Sequence, residues 1–126
     1  AGDITVSKDS DFGLDPEQLK KAERERRDQE FFKLRRMSDL RKLLKQPEFR
    51  RFFWELLSDC KVFSGSFTLN AMNTAFNEGA RDVGIKKLSE LNEADIRAFA
   101  QMQAEFVAEK IQRDKEAQKE EEKDND

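Results

Sequence analysis

Large apolar residues recur at intervals of three and four along the middle of the chain, from Phe31 to Ile111. This is the period of α-helices that each bury one face. The pattern predicts an all-α fold: a small helical core of four to five helices with long, charged, helical terminal extensions. The clearest run predicts one helix with a broad buried face, formed by Phe49, Phe52, Phe53, Leu56, Leu57 and Cys60.

Two signals mark helix starts in the first third of the chain. Asp15-Pro16 combines an N-cap residue with proline at the first helical position, so a long helix is expected to begin there. Ser38-Asp39 is expected to cap a second, short helix. Pro47 should interrupt that helix or lie in the first turn of the next one.

Two further helices are predicted in the second half. Asn70 is expected to cap a helix that runs to about Leu91, and the segment Asn92–Asp95 is expected to cap the last one. Gly79 and Gly84 lie inside the first of these helices, where each costs about 1 kcal/mol relative to alanine. Close approach of a neighbouring backbone, in a tight helix crossing, is therefore expected at both glycines.

Arg81 lies between these two glycines. If tight packing there buries its side chain, the guanidinium needs a carboxylate, because an uncompensated buried charge costs roughly 3–5 kcal/mol. We therefore predict a structural ion pair between Arg81 and one of three acidic residues, Glu55, Asp59 or Glu78.

Charge divides the chain into segments. Charged residues make up 40% of the sequence, with a net charge of −3, and they concentrate toward the two ends. We predict a flexible arm over residues 1–14, a charged helical extension over 15–36, a helical core over 37–111 and a charged acidic tail over 112–126. The tail is expected to fray, because its apolar stripe ends at Ile111.

The composition argues against catalysis. The chain has no histidine and one cysteine, Cys60, so it lacks the commonest general base and the commonest neutral metal ligand. Its acidic clusters lack the alternating spacing of a calcium loop, and Ser64-Gly65-Ser66 lacks the lysine of a phosphate-binding loop. We expect a protein that is not an enzyme, with no catalytic residue, metal or cofactor.

The apolar runs are too short for a membrane span of roughly 18–20 residues. The first residues, Ala1-Gly2-Asp3, also lack the basic-then-apolar form of a secretory signal. No membrane partner is therefore expected, and the protein should be made in the cytoplasm.

Three aromatic residues are candidates for binding a partner. Trp54 falls off the buried stripe of its helix, so it either makes a second contact within the fold or faces a partner. Phe63 and Phe67 flank a turn rich in glycine and serine, which they can pin to the core.

One segment, from Lys33 to Arg51, is clearly basic, with eight basic and two acidic residues. It can contact DNA phosphates without sequence preference, or it can form the solvated faces of amphipathic helices. The candidate phosphate contacts are Arg35, Arg36, Arg41, Lys42, Lys45, Arg50 and Arg51.

Three motifs follow one another in the core. They are Arg50-Arg51-Phe52-Phe53-Trp54-Glu55-Leu56-Leu57, then Cys60-Lys61-Val62-Phe63-Ser64-Gly65-Ser66-Phe67, and, after Asn70, Thr74-Ala75-Phe76-Asn77-Glu78-Gly79-Ala80-Arg81-Asp82-Val83-Gly84-Ile85. Over residues 38–102 the chain resembles a small protein family of tailed double-stranded DNA bacteriophages, whose genes lie among virion and portal genes. Lys61 stands where that family more often has glycine.

The resemblance implies a structural or assembly role in the virion, and it brings no catalytic residues. The preferred hypothesis is an internal, portal-associated virion protein that assists particle assembly or genome ejection. Its expected partners are other virion proteins, either the portal or neighbouring copies of itself. The alternatives are an external head–tail adaptor or completion protein, and a packaging accessory that contacts DNA nonspecifically through the basic segment.

Overall fold

Four α-helices make up the part of the chain that the structure describes. The computed structural model describes Gly13, residues 15–66 and residues 68–125, and this part of the chain contains no strand. The helices are α1 (Pro16–Leu43), α2 (Pro47–Asp59), α3 (Ala71–Ala94) and α4 (Ala98–Asp124). The prediction of an all-α fold is confirmed. The predicted arm over residues 1–14 lies outside the described residues, except for Gly13.

The chain divides into two compact units, one ending at Arg36 and the other beginning at Met37. In the first unit, Asp15 Oδ1 accepts a hydrogen bond from Gln18 N at 2.8 Å, and Gln18 Oε1 accepts one from Asp15 N at 3.1 Å. This reciprocal capping box confirms that a helix starts at Asp15-Pro16. The body of the unit buries no side chain; Phe31 and Phe32 are both more than half exposed.

The helix break predicted at Ser38-Asp39 is wrong, because α1 continues through both residues to Leu43. Met37, Leu40 and Leu44 follow one another at helical spacing and are all buried, so packing holds this stretch helical where the local capping signal favours a start. The alternative for Pro47 is confirmed, since proline occupies the first turn of α2.

The core of the second unit is small. Leu57 of α2 and Leu91 of α3 have no exposed surface, and the other buried residues surround them. The core draws on the end of α1, on α2, on the second half of α3 and on the first turns of α4. Its members are Met37, Leu40, Leu44, Phe53, Leu57, Leu91, Ala94, Ala98 and Met102.

The buried face of α2 is rotated from the predicted one. Phe53 and Leu57 are buried as expected, but Phe52 is 63% exposed. Trp54, on the other flank of the helix, is half-buried and packs against the core. The physical reason is that α2 contacts α4 on the side that carries Arg50 and Trp54.

The turn after α2 has left-handed backbone geometry at Lys61, whose φ is +62°. Val62 N donates to Leu57 O at 3.2 Å, and Lys61 N donates to Ser58 O at 3.0 Å, which is the hydrogen-bond pattern of a Schellman motif. This conformation favours glycine, the residue more frequent here in the family that the sequence resembles. Lys61 adopts it despite its side chain.

This turn lies directly against Gly84 of α3. A Cβ built on Gly84 would stand 2.5 Å from Val62 Cγ2 and 2.6 Å from Cys60 Cβ, so only glycine fits without movement. The close approach predicted at Gly84 is therefore confirmed, but it comes from the turn after α2 and not from a crossing helix. The one predicted at Gly79 is wrong, because no described atom lies within 4 Å of a Cβ built there.

Local hydrogen bonds form at the starts of α3 and α4. The Asn70 side chain accepts from Met72 N and Asn73 N, which confirms the predicted cap of α3. The cap predicted over Asn92–Asp95 is wrong, because α3 continues to Ala94 and the N-cap of α4 is Arg97, whose backbone N donates to Asp95 Oδ1. Fraying of the tail is not observed up to Asp124, where α4 ends. Pairs at i,i+4, such as Lys110 with Asp114 at 3.1 Å, support this polar helix.

Candidate functional site

Four aromatic side chains meet where α2 packs against α4. The Trp54 ring is stacked on Phe63 with 4.5 Å between centroids and on Phe106 with 5.3 Å, and it lies 5.6 Å from Phe99. We call these four residues the aromatic cluster. Of the two interpretations of Trp54, the structure supports a second contact within the fold. The third aromatic candidate, Phe67, lies outside the described residues.

The aromatic cluster is only partly covered. Phe63 and Phe106 are 44% and 48% exposed, while Trp54 and Phe99 are half-buried between them and the core. Stacked aromatic rings contribute packing energy beyond their buried area and hold one another in a fixed orientation. The cluster therefore presents rigid apolar edges to whatever lies outside.

A groove of about 530 Å³ runs beside the aromatic cluster, between α2 and α4. Trp54, Met102 and Phe106 provide its apolar lining. Charges of both signs stand along its two sides: Arg51 and Glu55 on α2, with Glu109, Lys110 and Arg113 on α4. An apolar lining between charged rims suits a partner segment that is itself amphipathic.

Arg50 closes one end of this groove and holds its two walls together. Its Nε and Nη2 donate to Glu105 Oε1 and Oε2 at 2.8 and 3.2 Å, a bidentate arrangement. Its Nη1 donates to the carbonyl oxygen of Leu44 at 2.8 Å. Only 11% of the Arg50 side chain is exposed, so the guanidinium is committed to the protein.

The basic segment is therefore not a row of free cations. Arg35 belongs to the first unit, where its guanidinium carbon lies 5.0 Å from the Phe32 ring centroid, and Arg36 ends that unit. In the second unit, Arg41 Nε donates to the Ala94 carbonyl oxygen at the end of α3 at 2.9 Å. With Arg50 also committed, the remaining exposed candidates for phosphate contact in that unit are Lys42, Lys45 and Arg51.

The structure does not bring Arg81 together with a carboxylate. Arg81, Glu55, Asp59 and Glu78 are all exposed, and none of the salt bridges among the described residues joins Arg81 to them. The predicted structural ion pair is thus not observed. The tight contact that was expected to bury Arg81 occurs at Gly84, and it leaves the Arg81 side chain exposed.

Sequence reasoning missed the partner of Arg50. Phe99 and Phe106 lie at helical spacing on the apolar stripe that ends at Ile111, but Glu105 is one of many carboxylates in a charged segment. The ion pair joins residues 55 positions apart, a separation with no local signature.

Little else in the described residues suggests chemistry. Cys60 is a free, half-buried thiol, and no group of three or more cysteine, aspartate or glutamate residues is placed to hold a metal ion in the part of the chain that the structure covers. None of the four helices is long and apolar enough to cross a membrane.

Residues 40–104 match the family described as Bbp19-like phage protein. The chain belongs to this family. The matched segment holds the whole core except Met37, together with Trp54, Phe63 and Phe99 of the aromatic cluster. Glu105, Phe106 and the outer wall of the groove follow the matched residues. No curated protein and no solved structure matches the chain.

Membership of this family confirms the resemblance to a phage protein family on which the sequence-based hypothesis rested.

Proposed function

We propose that this phage protein is a non-enzymatic structural component of the virion, internal and associated with the portal, and that it assists particle assembly or genome ejection. The observation that carries the proposal is the partly covered aromatic cluster beside the groove. Family membership supplies the phage setting, and the resemblance adds that such genes lie among virion and portal genes.

The groove is the surface we assign to the virion partner. Its lining is apolar and already ordered by ring stacking, so a partner helix loses little entropy to side-chain ordering when it binds there. The charges on both rims favour one register of that helix and reject others. This chemistry fits a segment of a neighbouring virion protein better than it fits a small substrate.

A matched pair of substitutions tests this assignment. Phe106 and Val107 are adjacent on α4 and equally exposed, at 48% each, but only Phe106 lines the groove. Particles are produced from a phage that lacks the gene and is complemented with each variant. We expect Phe106→Lys to be lost from purified particles and Val107→Lys to be retained. Circular dichroism checks that both variants stay folded.

Retention of both variants would contradict the role of the groove. Absence of the wild-type protein from purified particles would contradict the structural role altogether.

Labelling of intact particles tests the internal location. A cysteine replacing exposed Lys123 in a Cys60→Ser background is treated with an impermeant thiol reagent before and after genome release. We expect labelling only after release. Full labelling of intact particles would indicate the external head–tail adaptor instead.

Titration against duplex DNA tests the packaging accessory. Contact through Lys42, Lys45 and Arg51 would give affinity that falls steeply with salt. We expect no binding, because Arg41 and Arg50 are already committed within the fold.

A further inference from the structure

A second apolar surface lies on α3, away from the groove. Met72, Phe76 and Val83 are 82%, 77% and 50% exposed, and Gly79 stands between Phe76 and Val83. Successive intervals of four, three and four residues place these four positions on one stripe of an α-helix. We call them the α3 stripe. It is distinct from the side of α3 on which Gly84 and Leu91 are buried.

Among the described residues, no packing contact explains Gly79. A Cβ built at Gly84 would collide with the turn after α2, whereas a Cβ built at Gly79 meets nothing within 4 Å among the described atoms. Glycine lowers the stability of an exposed helix relative to alanine. We therefore look for a contact with another molecule that offsets this cost. Between the projecting Phe76 and Val83 side chains, the missing side chain leaves a notch.

The α3 stripe is complementary to itself. Its spacing reads the same in both directions along the helix, so an antiparallel copy presents the same series in reverse. In that register Phe76 of one copy stands opposite Gly79 of the other, and Met72 stands opposite Val83. Each large side chain then meets a smaller one, and a single two-fold axis satisfies all four positions on both copies.

The flanking charges also allow this register. The stripe itself is uncharged, and the charged residues closest to it in the chain are Glu78, Arg81 and Asp82. In the antiparallel register they stand level with Asn77, Thr74 and Asn73 of the other copy, so like charges do not oppose each other. Lys86 stands level with Leu69, which is fully exposed and which the lysine stem can cover.

We propose that two copies of this protein associate in antiparallel fashion through the α3 stripe. Three exposed apolar side chains and the adjoining Leu69 provide less than the about 800 Å² per partner of a standard interface. The dimer is therefore weak and reversible, and it forms where the local concentration is high. The proposal does not depend on what occupies the groove.

Sedimentation equilibrium of the full chain tests the proposal. We expect a monomer–dimer equilibrium with a Kd of about 10–100 μM. Phe76→Lys should raise that Kd at least about thirty-fold, because it places a charge in the centre of the seam. Phe52→Lys is the matched control: Phe52 is 63% exposed but lies on α2, so the dimer should persist.

Gly79→Ala separates association from folding. At concentrations below dimer formation it should raise the midpoint of thermal unfolding, because helix propensity improves and the site is open. It should also weaken the dimer several-fold, because the added methyl group fills the notch for Phe76. A purely structural glycine would not give this opposite pair of effects.

Spin labels report the direction of the two helices. A label at exposed Ser89, attached through Ser89→Cys in a Cys60→Ser background, should lie about 35 Å from its counterpart in the antiparallel dimer. A separation near 10 Å would overturn the antiparallel arrangement. A wild-type chain that stays monomeric at 1 mM, or a dimer indifferent to Phe76→Lys, would overturn the proposal itself.

Discussion

The two halves of α3 use apolar residues in opposite ways. From Gly84 to Ala94 the helix contributes Gly84, Leu91 and Ala94 to the interior, whereas from Met72 to Val83 its large apolar side chains are exposed. Both halves repeat at helical spacing. Periodicity therefore identifies a helix and its apolar face, and the neighbouring elements determine whether that face is buried in the core or left exposed for an interface.

The largest expected contrast between the halves is in the loss of a side chain. Leu91 has no exposed surface, so Leu91→Ala leaves a cavity and should lower the free energy of unfolding by about 2–5 kcal/mol. Met72 is 82% exposed, so Met72→Ala should change the free energy of unfolding by no more than about 0.5 kcal/mol. Urea unfolding of dilute samples measures the free energy of unfolding of both variants. Equal losses of stability would contradict the difference between a buried and an exposed half of α3.

The two glycines give the second contrast, with opposite signs. Gly84→Ala should destabilise the fold by about 1–3 kcal/mol, because its methyl group must displace both Val62 Cγ2 and Cys60 Cβ. Gly79→Ala should stabilise dilute monomer by up to about 1 kcal/mol. Thermal unfolding of the two variants checks the prediction, which fails if both shifts have the same sign.

The smallest effect is expected in the turn that covers Gly84. Lys61→Gly removes the strain of a side chain at φ +62° and should raise the free energy of unfolding by about 0.5–1 kcal/mol. Lys61→Ala, which keeps a Cβ in the same backbone conformation, is the control and should bring no such gain. If both variants gained stability, the cause would be the loss of the lysine charge and not the relief of backbone strain.

Local signals predicted much of the fold. The starts at Asp15-Pro16 and Asn70 were correct because an N-cap depends on groups within three residues. The false start at Ser38-Asp39 has the same kind of signal, but there Met37, Leu40 and Leu44 pack into the core and keep α1 continuous. A capping residue shows where a helix is able to begin, and packing determines whether it does.

The candidate site was predictable only in part. The sequence placed Phe99 and Phe106 on the apolar stripe of the last helix, Trp54 off the stripe of its own helix and Phe63 beside a turn, but the stacking of the four rings depends on how α2 and α4 meet. The same contact commits Arg50 to Glu105 and removes it from the basic segment. Local sequence patterns cannot predict such pairs, because the two residues lie far apart along the chain.

The all-α class, the helix starts at Asp15 and Asn70 and the lack of histidine chemistry follow from the sequence alone, because they depend on composition and on neighbours within a few residues. Which flank of α2 is buried, which glycine of α3 is packed and which arginines stay exposed became clear from the fold. These outcomes depend on contacts between distant segments. The free energies of burial and of ion pairing in these contacts are larger than the helix propensities of single residues. Packing between the helices therefore determines which apolar face is buried and which stays exposed.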